Sequence, residues 1–387
     1  MRRTILLMAS MALASLLSSG VAFSQSTSVG DADTLPDEIC SSSNPVSAAN
    51  RPSITVMTRN LYLGADLDPV FQAVAGGDPL GIIQATTTTW QSVQATNFHD
   101  RAGALADEIA HSEPLLVGLQ EVSLYRTGDP DSFFGNPTLA DHVEYDFLKI
   151  LLNELDQRGL HYKRVTVTRN TDAETPGFTA PGVLRDIRLT DRDVILARTD
   201  PPTSMLKLSN RQTGNFAARV SLPIGTTGQS IDLLRGWGSV DVTLRGQTFR
   251  FINTHLEPEG TFSALQVAQG NELLGGPADT SLPVILVGDF NSRADGLGTP
   301  TYGNLIGAGF EDAWNITHPG EPGNTFGHDV DLLNTTVDLT QRLDLVLFRH
   351  DLCALDADVV GDELDDRTTS GLWPSDHAGV VATLRGE

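Results

Sequence analysis

Residues 283–287 form an unbroken apolar run, rich in β-branched side chains and bounded by turn formers. Such a run predicts a strand buried on both faces, as in the middle of an α/β sheet. Residues 115–119 make a similar run, residues 343–348 read as another strand, and residues 53–58 alternate with period two. Further strands are expected at 162–168, 194–197, 215–222, 238–244, 248–254 and 379–384, with Gly246-Gln247 as a hairpin turn. The helical period is rarer. Ala102, Leu105, Ala106 and Ile109 mark one helix, capped by Asn97 or Asp100 and ended near Pro114. Val143, Phe147, Ile150, Leu151 and Leu155 mark a second over 141–158, and a third spans 263–274. Residues 62–96 read as a long connection of the kind that serves as a lid or binding loop. Residues 169–190 and most of 293–340 read as irregular. Frequent strands of mixed direction with fewer helices predict an α/β (α+β) protein: two mixed β-sheets packed face to face, helices outside.

The amino terminus lies outside that plan. Met1-Arg2-Arg3, the apolar stretch 5–17 and Ala22-Phe23-Ser24 have the form of a secretory signal peptide over residues 1–24. Residues 25–50 are polar and aperiodic, a flexible lead-in, and the folded body is expected over 51–387. A secreted or periplasmic protein without a transmembrane segment follows. In that compartment Cys40 and Cys353 can form a disulfide that staples the lead-in to the body. The formal net charge of -23 argues against an exposed polyanion-binding stripe, so no stable nucleic-acid complex is expected. A monomer is expected.

Candidate chemistry gathers at strand ends. The apolar run 283–287 delivers Gly288, Asp289 and Asn291, and residues two apart in an extended chain face one side. Asn60, Glu121, His255, Asp344, Asp376 and His377 stand in equivalent places. Each alone has an ordinary structural explanation: a turn, a solvated carboxylate, a satisfied histidine, or, for Asp344, an ion pair with Arg342.

Together they carry a resemblance. Arg59-Asn60, Leu119-Gln120-Glu121, Asn253-Thr254-His255-Leu256, Gly288-Asp289-Phe290-Asn291, Arg342-Leu343-Asp344 and Ser375-Asp376-His377 occur in the order that resembles the endonuclease/exonuclease/phosphatase superfamily. The resemblance runs from about residue 53 to 384. It implies a four-layer α/β sandwich and divalent-metal hydrolysis of a phosphate ester. Magnesium is the implied cofactor, with manganese or calcium as alternatives. Glu121 would be its carboxylate ligand, with Asn60 and Asp376 nearby. Asp289 would orient or deprotonate the attacking water and Asn291 would hold a phosphate oxygen. His377 would be oriented by Asp344, and His255 would hold the phosphate from the other side; which histidine handles which proton stays open. The Thr-His-Leu motif is similar to the deoxyribonuclease and neutral sphingomyelinase branch. Ser123 stands where deoxyribonucleases commonly carry arginine, which puts DNA in doubt. Asp191-Arg192-Asp193 resembles a further place where the family has an aspartate near the site. The implied substrate is a lipid head group or small phosphate ester, with a nuclease as the alternative.

Overall fold

The apolar runs become strands β2 (Leu116–Gln120) and β12 (Val284–Asp289), buried along their whole length. Each lies parallel to one neighbour: β2 to β1 (Ser53–Asn60), β12 to β11 (Gln247–His255). Antiparallel strands widen each pair into a sheet. Beside β1 lie β16 (Gly379–Gly386) and then β15 (Leu352–Val360). Beside β2 lies β6 (Val183–Arg198), which pairs with β3 (Leu124–Gly128) and β5 (Tyr162–Ala180); β4 (His142–Asp146) forms the far edge. In the second sheet β14 (Asp344–Arg349) and β13 (Glu311–Asp312) follow β12 on one side. On the other, β10 (Gly236–Leu244) and β7 (Leu206–Asn215) follow β11. A separate ribbon joins β8 (Val220–Pro223) and β9 (Ser230–Leu233). The computed structural model describes residues 52–132, 138–202, 204–225 and 230–386. These belong to one compact unit. Residues 1–50, and with them the expected signal peptide, the lead-in and Cys40, lie outside the described residues; Cys353 is buried in β15.

The inner faces of the sheets meet through Val56, Leu116 and Ile195 on one side and Val240, Phe251 and Ile285 on the other. Helices α3 (Phe98–Ser112) and α4 (Phe147–Gln157) cover the outer face of the first sheet, with Leu105, Ile109, Leu151 and Leu155 against Val117 and Leu119. Helices α5 (Ser263–Gly275) and α6 (Thr301–Gly307) cover the second through Leu273 and Leu305. The result is the expected four-layer sandwich. Among the described residues no helix is long and apolar enough to cross a membrane.

A polar tie joins the sheets just below the ends of the parallel pairs. Gln120 Nε2 donates to Asn253 Oδ1 at 2.7 Å, and Asn253 Nδ2 reaches the carbonyls of Leu119 and Val194 at 3.0 and 3.2 Å. Buried amides of this kind fix register because an unmet partner is costly. Gly118 permits the close approach: a Cβ there would lie 2.5 Å from Val287 Cγ2 and 2.7 Å from Asn253 Oδ1.

Several segments differ from the sequence reading, among them the strand expected over 215–222, where β7 ends at Asn215 and β8 begins only at Val220. Residues 62–96 are mostly two helices, α1 (Asp68–Gly76) and α2 (Pro79–Ala95). Asp78 caps α2, accepting from Leu80 N and Gly81 N, and Pro79 fits the first turn. The threonine run 86–89 is tolerated because Thr87 and Thr88 return their hydroxyls to the carbonyls of Ile83 and Gln84. Residues 169–190 are the body of a long β5–β6 hairpin. Register shifts after Arg164, Arg169 and Phe178 break its alternation and hide it from a period-two search. The helix expected over 141–158 starts only at Phe147, since residues 142–146 pair with β3; Val143 is exposed rather than on the core face.

Candidate active site

The two parallel pairs end side by side, and each leaves its sheet through strained backbone. Tyr62, Glu121 and Asn291 have φ of 55°, 55° and 49°. Left-handed conformation costs a non-glycine residue about 1 kcal/mol, so a shared placement just past β1, β2 and β12 points to a geometric demand at this spot. In β-register, Asn60 lies beside Gln120, His255 beside Asp289, and Asp289 beside Asp344. The strand ends therefore bring together groups that are far apart in the chain.

Asp289 is the hub. Its Oδ1 accepts from Asn291 N at 2.9 Å and its Oδ2 from Asn60 Nδ2 at 3.1 Å. The same Oδ2 lies 3.4 Å from His255 Nε2 and 3.7 Å from His377 Nε2. Burial, with Asp344 adding to it, pushes the Asp289 carboxyl up to about 6. Asp344 Oδ2 sits 2.7 Å from His377 Nδ1, and Thr325 Oγ1 accepts the Asp344 N–H. Burial alone would lower His377, but Asp344, Asp289 and Asp376 override it and push the imidazole up to about 10. The sequence alternative for Asp344 is excluded, because Arg342 pairs instead with Asp312 at 2.6 Å and with Asn315.

Glu121 and Asp376 are partly exposed above this buried layer. Glu121 Oε2 accepts from Leu63 N at 2.7 Å, and Asn60 Nδ2 lies 3.4 Å from its Oε1. Burial together with Asp376 and Asp191 pushes Glu121 up to about 7. Glu121 and Asp376 offer carboxylate oxygens and an excess of negative charge, which suits a hard divalent cation that keeps part of its water shell. The residues present fit the metal implied by the sequence. Asn291 gives one amide N–H to Leu256 O at 3.0 Å, leaving its Oδ1 without such a commitment to the strand.

The opposite wall joins Asp191 and Asp193 of the Asp191-Arg192-Asp193 motif to Arg235, Glu257 and Asn170, which the motifs did not supply. Arg235 Nη1 lies 3.0 Å from His255 Nδ1 and 3.2 Å from Nε2, with Glu257 3.5 Å and Asp191 3.9 Å away. Asn170 Nδ2 donates to Asp191 at 3.2 Å and to Asp193 at 2.7 Å. Burial, the Arg235 charge and His377 drive His255 well below its ordinary value. Asp191 and Asp193 point to one side of β6 by its period of two. Arg192 points away, to Val122 O and Asp146. Arg235 has no local signature; only tertiary structure brings it to His255.

All eight site residues read from the sequence thus converge at one end of the sandwich. A sequence profile of the endonuclease/exonuclease/phosphatase family matches residues 90–377. The chain belongs to that family. Members with solved structures share the fold of this family member at low identity. One from Bacteroides thetaiotaomicron is 15% identical with a TM-score of 0.53, covering 87% of this chain and 99% of its own. One from Leptotrichia buccalis is 16% identical with a TM-score of 0.51, covering 85% and 98%. No curated protein matches the chain.

Proposed function

We propose that this protein is a divalent-metal-dependent hydrolase of phosphate esters, acting on a lipid head group or another small ester after export from the cytoplasm. The observation that carries the reading is the Asp344–His377 pair at 2.7 Å. It presents an Nε2–H at 3.7 Å from Asp289, beyond hydrogen-bond length and so free to donate to a substrate oxygen. Glu121, Asp376 and Asn60 would hold the cation, whose chemistry is to draw charge from the phosphoryl oxygen and the leaving oxygen. Asp289, raised toward neutrality, orients the attacking water and takes its proton. His377, held cationic by Asp344, donates to the phosphate or the leaving oxygen. Neutral His255 fixes Asp289: with Arg235 donating to one ring nitrogen, the other carries the hydrogen that faces the carboxylate. Asn291 Oδ1 and Arg235 complete the phosphate's surroundings.

The test is one panel on the exported chain with magnesium: bis-p-nitrophenyl phosphate, sphingomyelin, phosphatidylcholine, plasmid DNA and RNA, each with a chelator control. Hydrolysis of a non-nucleic ester that chelator abolishes is expected. Glu121→Gln keeps the shape but removes the charge, so rate and metal affinity should fall together, the rate by about 100-fold or more. A rate indifferent to chelator contradicts the metal chemistry, and exclusive cleavage of DNA or RNA replaces the substrate class.

A further inference from the structure

Beside the site lies a cavity of about 170 Å³ that the proposed chemistry does not use. Arg235, Asp191 and Glu257 line its side toward the site, and Arg235 Nη1 lies 3.0 Å from His255 Nδ1. Its other walls are mostly apolar, with Asp68 and four threonines among them. Phe71 and Val74 of α1, Trp90 of α2, Leu189 of β6, and Ile231 and Leu233 of β9 line it. The hydroxyls on these walls are spent within the protein: Thr86 donates to Thr175 at 2.9 Å, and Thr171 exchanges bonds with the Leu234 backbone at 3.3 and 2.8 Å. A nucleobase edge would find few unspent partners there.

The cavity is built by contact between elements distant in sequence. Gly225 N donates to Val74 O at 3.1 Å, tying the β8–β9 ribbon to α1. Gly77 and Gly225, at φ of 68° and 49°, meet so closely that a Cβ on either would lie 2.6–2.7 Å from the other's Cα. Both left-handed backbone and close approach call for glycine at these two positions.

We propose that the cavity holds the apolar organic group of the ester whose phosphate is bound at the catalytic centre, a group about the size of a benzene ring or a short alkyl segment. Three features favour that occupant. The volume is close to that of cavities of about 150 Å³ that take benzene. The walls offer mainly dispersion contacts, with Trp90 Nε1 and Asp191 Oδ1 the lining atoms buried without a hydrogen-bond partner. The boundary toward the site carries one cation, Arg235, flanked by Asp191 and Glu257, and a phosphate would meet it at that guanidinium. This assignment rests on the phosphoesterase reading and deepens it: the favoured substrates are phosphodiesters carrying an apolar substituent.

The experiment measures binding of phenylphosphonate and methylphosphonate to the magnesium-loaded protein by calorimetry, so that no turnover is needed. Phenylphosphonate should bind about 10–100-fold more tightly. Ala173→Leu places extra methyl groups in the cavity and should reduce the ratio to about threefold or less. Phe71→Ala enlarges it and should shift preference toward 1-naphthylphosphonate, which keeps the proposal testable if Ala173→Leu folds poorly. Equal affinity for the phenyl and methyl compounds, or a preference that neither variant alters, overturns the assignment. A clear phenyl preference without hydrolysis of any ester retains the cavity's role and rejects the phosphoesterase reading; hydrolysis without preference does the reverse.

Discussion

Two histidines sit within a few ångströms of Asp289 and are almost equally buried, yet their charges oppose. His377 has a carboxylate at 2.7 Å on Nδ1 and is pushed up to about 10. His255 has a guanidinium at 3.0 Å, its nearest Asp193 oxygen is 3.9 Å off, and it is driven well below its usual range. Burial lowers both, so burial does not decide the outcome. The first-contact partner does: an anion reverses the effect of burial on His377, and a cation reinforces it on His255. On the proposed reading, one site would thereby keep a cationic donor and a neutral positioning ring either side of one carboxylate, which is how paired titratable groups take separate roles.

The largest effect that would break this contrast is removal of the anion. His377→Ala or Asp344→Asn should lower turnover by about 10²–10⁴-fold, the range of a lost general acid, and the alanine variant, which leaves Asp344 buried without its partner, should also melt lower. Steady-state rates beside thermal melts check it. Next comes removal of the cation. Arg235→Met leaves Asp191 and Glu257 without their nearest positive charge and should cost about 2 kcal/mol of stability by denaturant titration. It should also let His255 titrate closer to its ordinary value, read from the pH dependence of its ring resonances.

The smallest effect concerns stability against pH in the presence of chelator. His255 has a folded pKa below the unfolded value of about 6.5, so its contribution is intact above that pH. It is lost as pH falls, by up to about 1.4 kcal/mol per unit. His377 has a folded pKa above that value, so its contribution is intact below about 6.5 and is lost as pH rises toward 10. The pair therefore favours a maximum near pH 6.5. His255→Gln should flatten the acid limb only, and His377→Gln the basic limb only; a variant that flattens the wrong limb would reverse the assignment of charges.

What was legible in the sequence follows the same physics. Asn60, Glu121, His255, Asp289, Asn291, Asp344, Asp376 and His377 could be read because each sits just past, or at the end of, a predicted strand or in a short motif. Their convergence then follows from the parallel pairs β1–β2 and β11–β12. The two-sheet sandwich was readable because residues 115–119 and 283–287 are apolar on both faces. Arg235 was not readable, since its role comes from a tertiary contact with His255 and its neighbours Leu234 and Gly236 announce nothing. The β5–β6 hairpin was hidden by bulges that break its period, and α2 by a threonine run that suggested an irregular stretch. The consequence was concrete: the apolar cavity bounded by α1, α2 and β9 was invisible, although its border with the catalytic residues was half in view at Asp191.

The central claim is that Asp344 and His377 act as one unit. A double-mutant cycle on turnover, with Asp344→Asn, His377→Ala and both together in magnesium, tests it most directly, with melting temperatures confirming that each variant is folded. The account predicts that the double variant loses little more than the more damaging single one, because residues acting together are non-additive. Losses that multiply, so that the double variant falls by the product of the two singles, would contradict it.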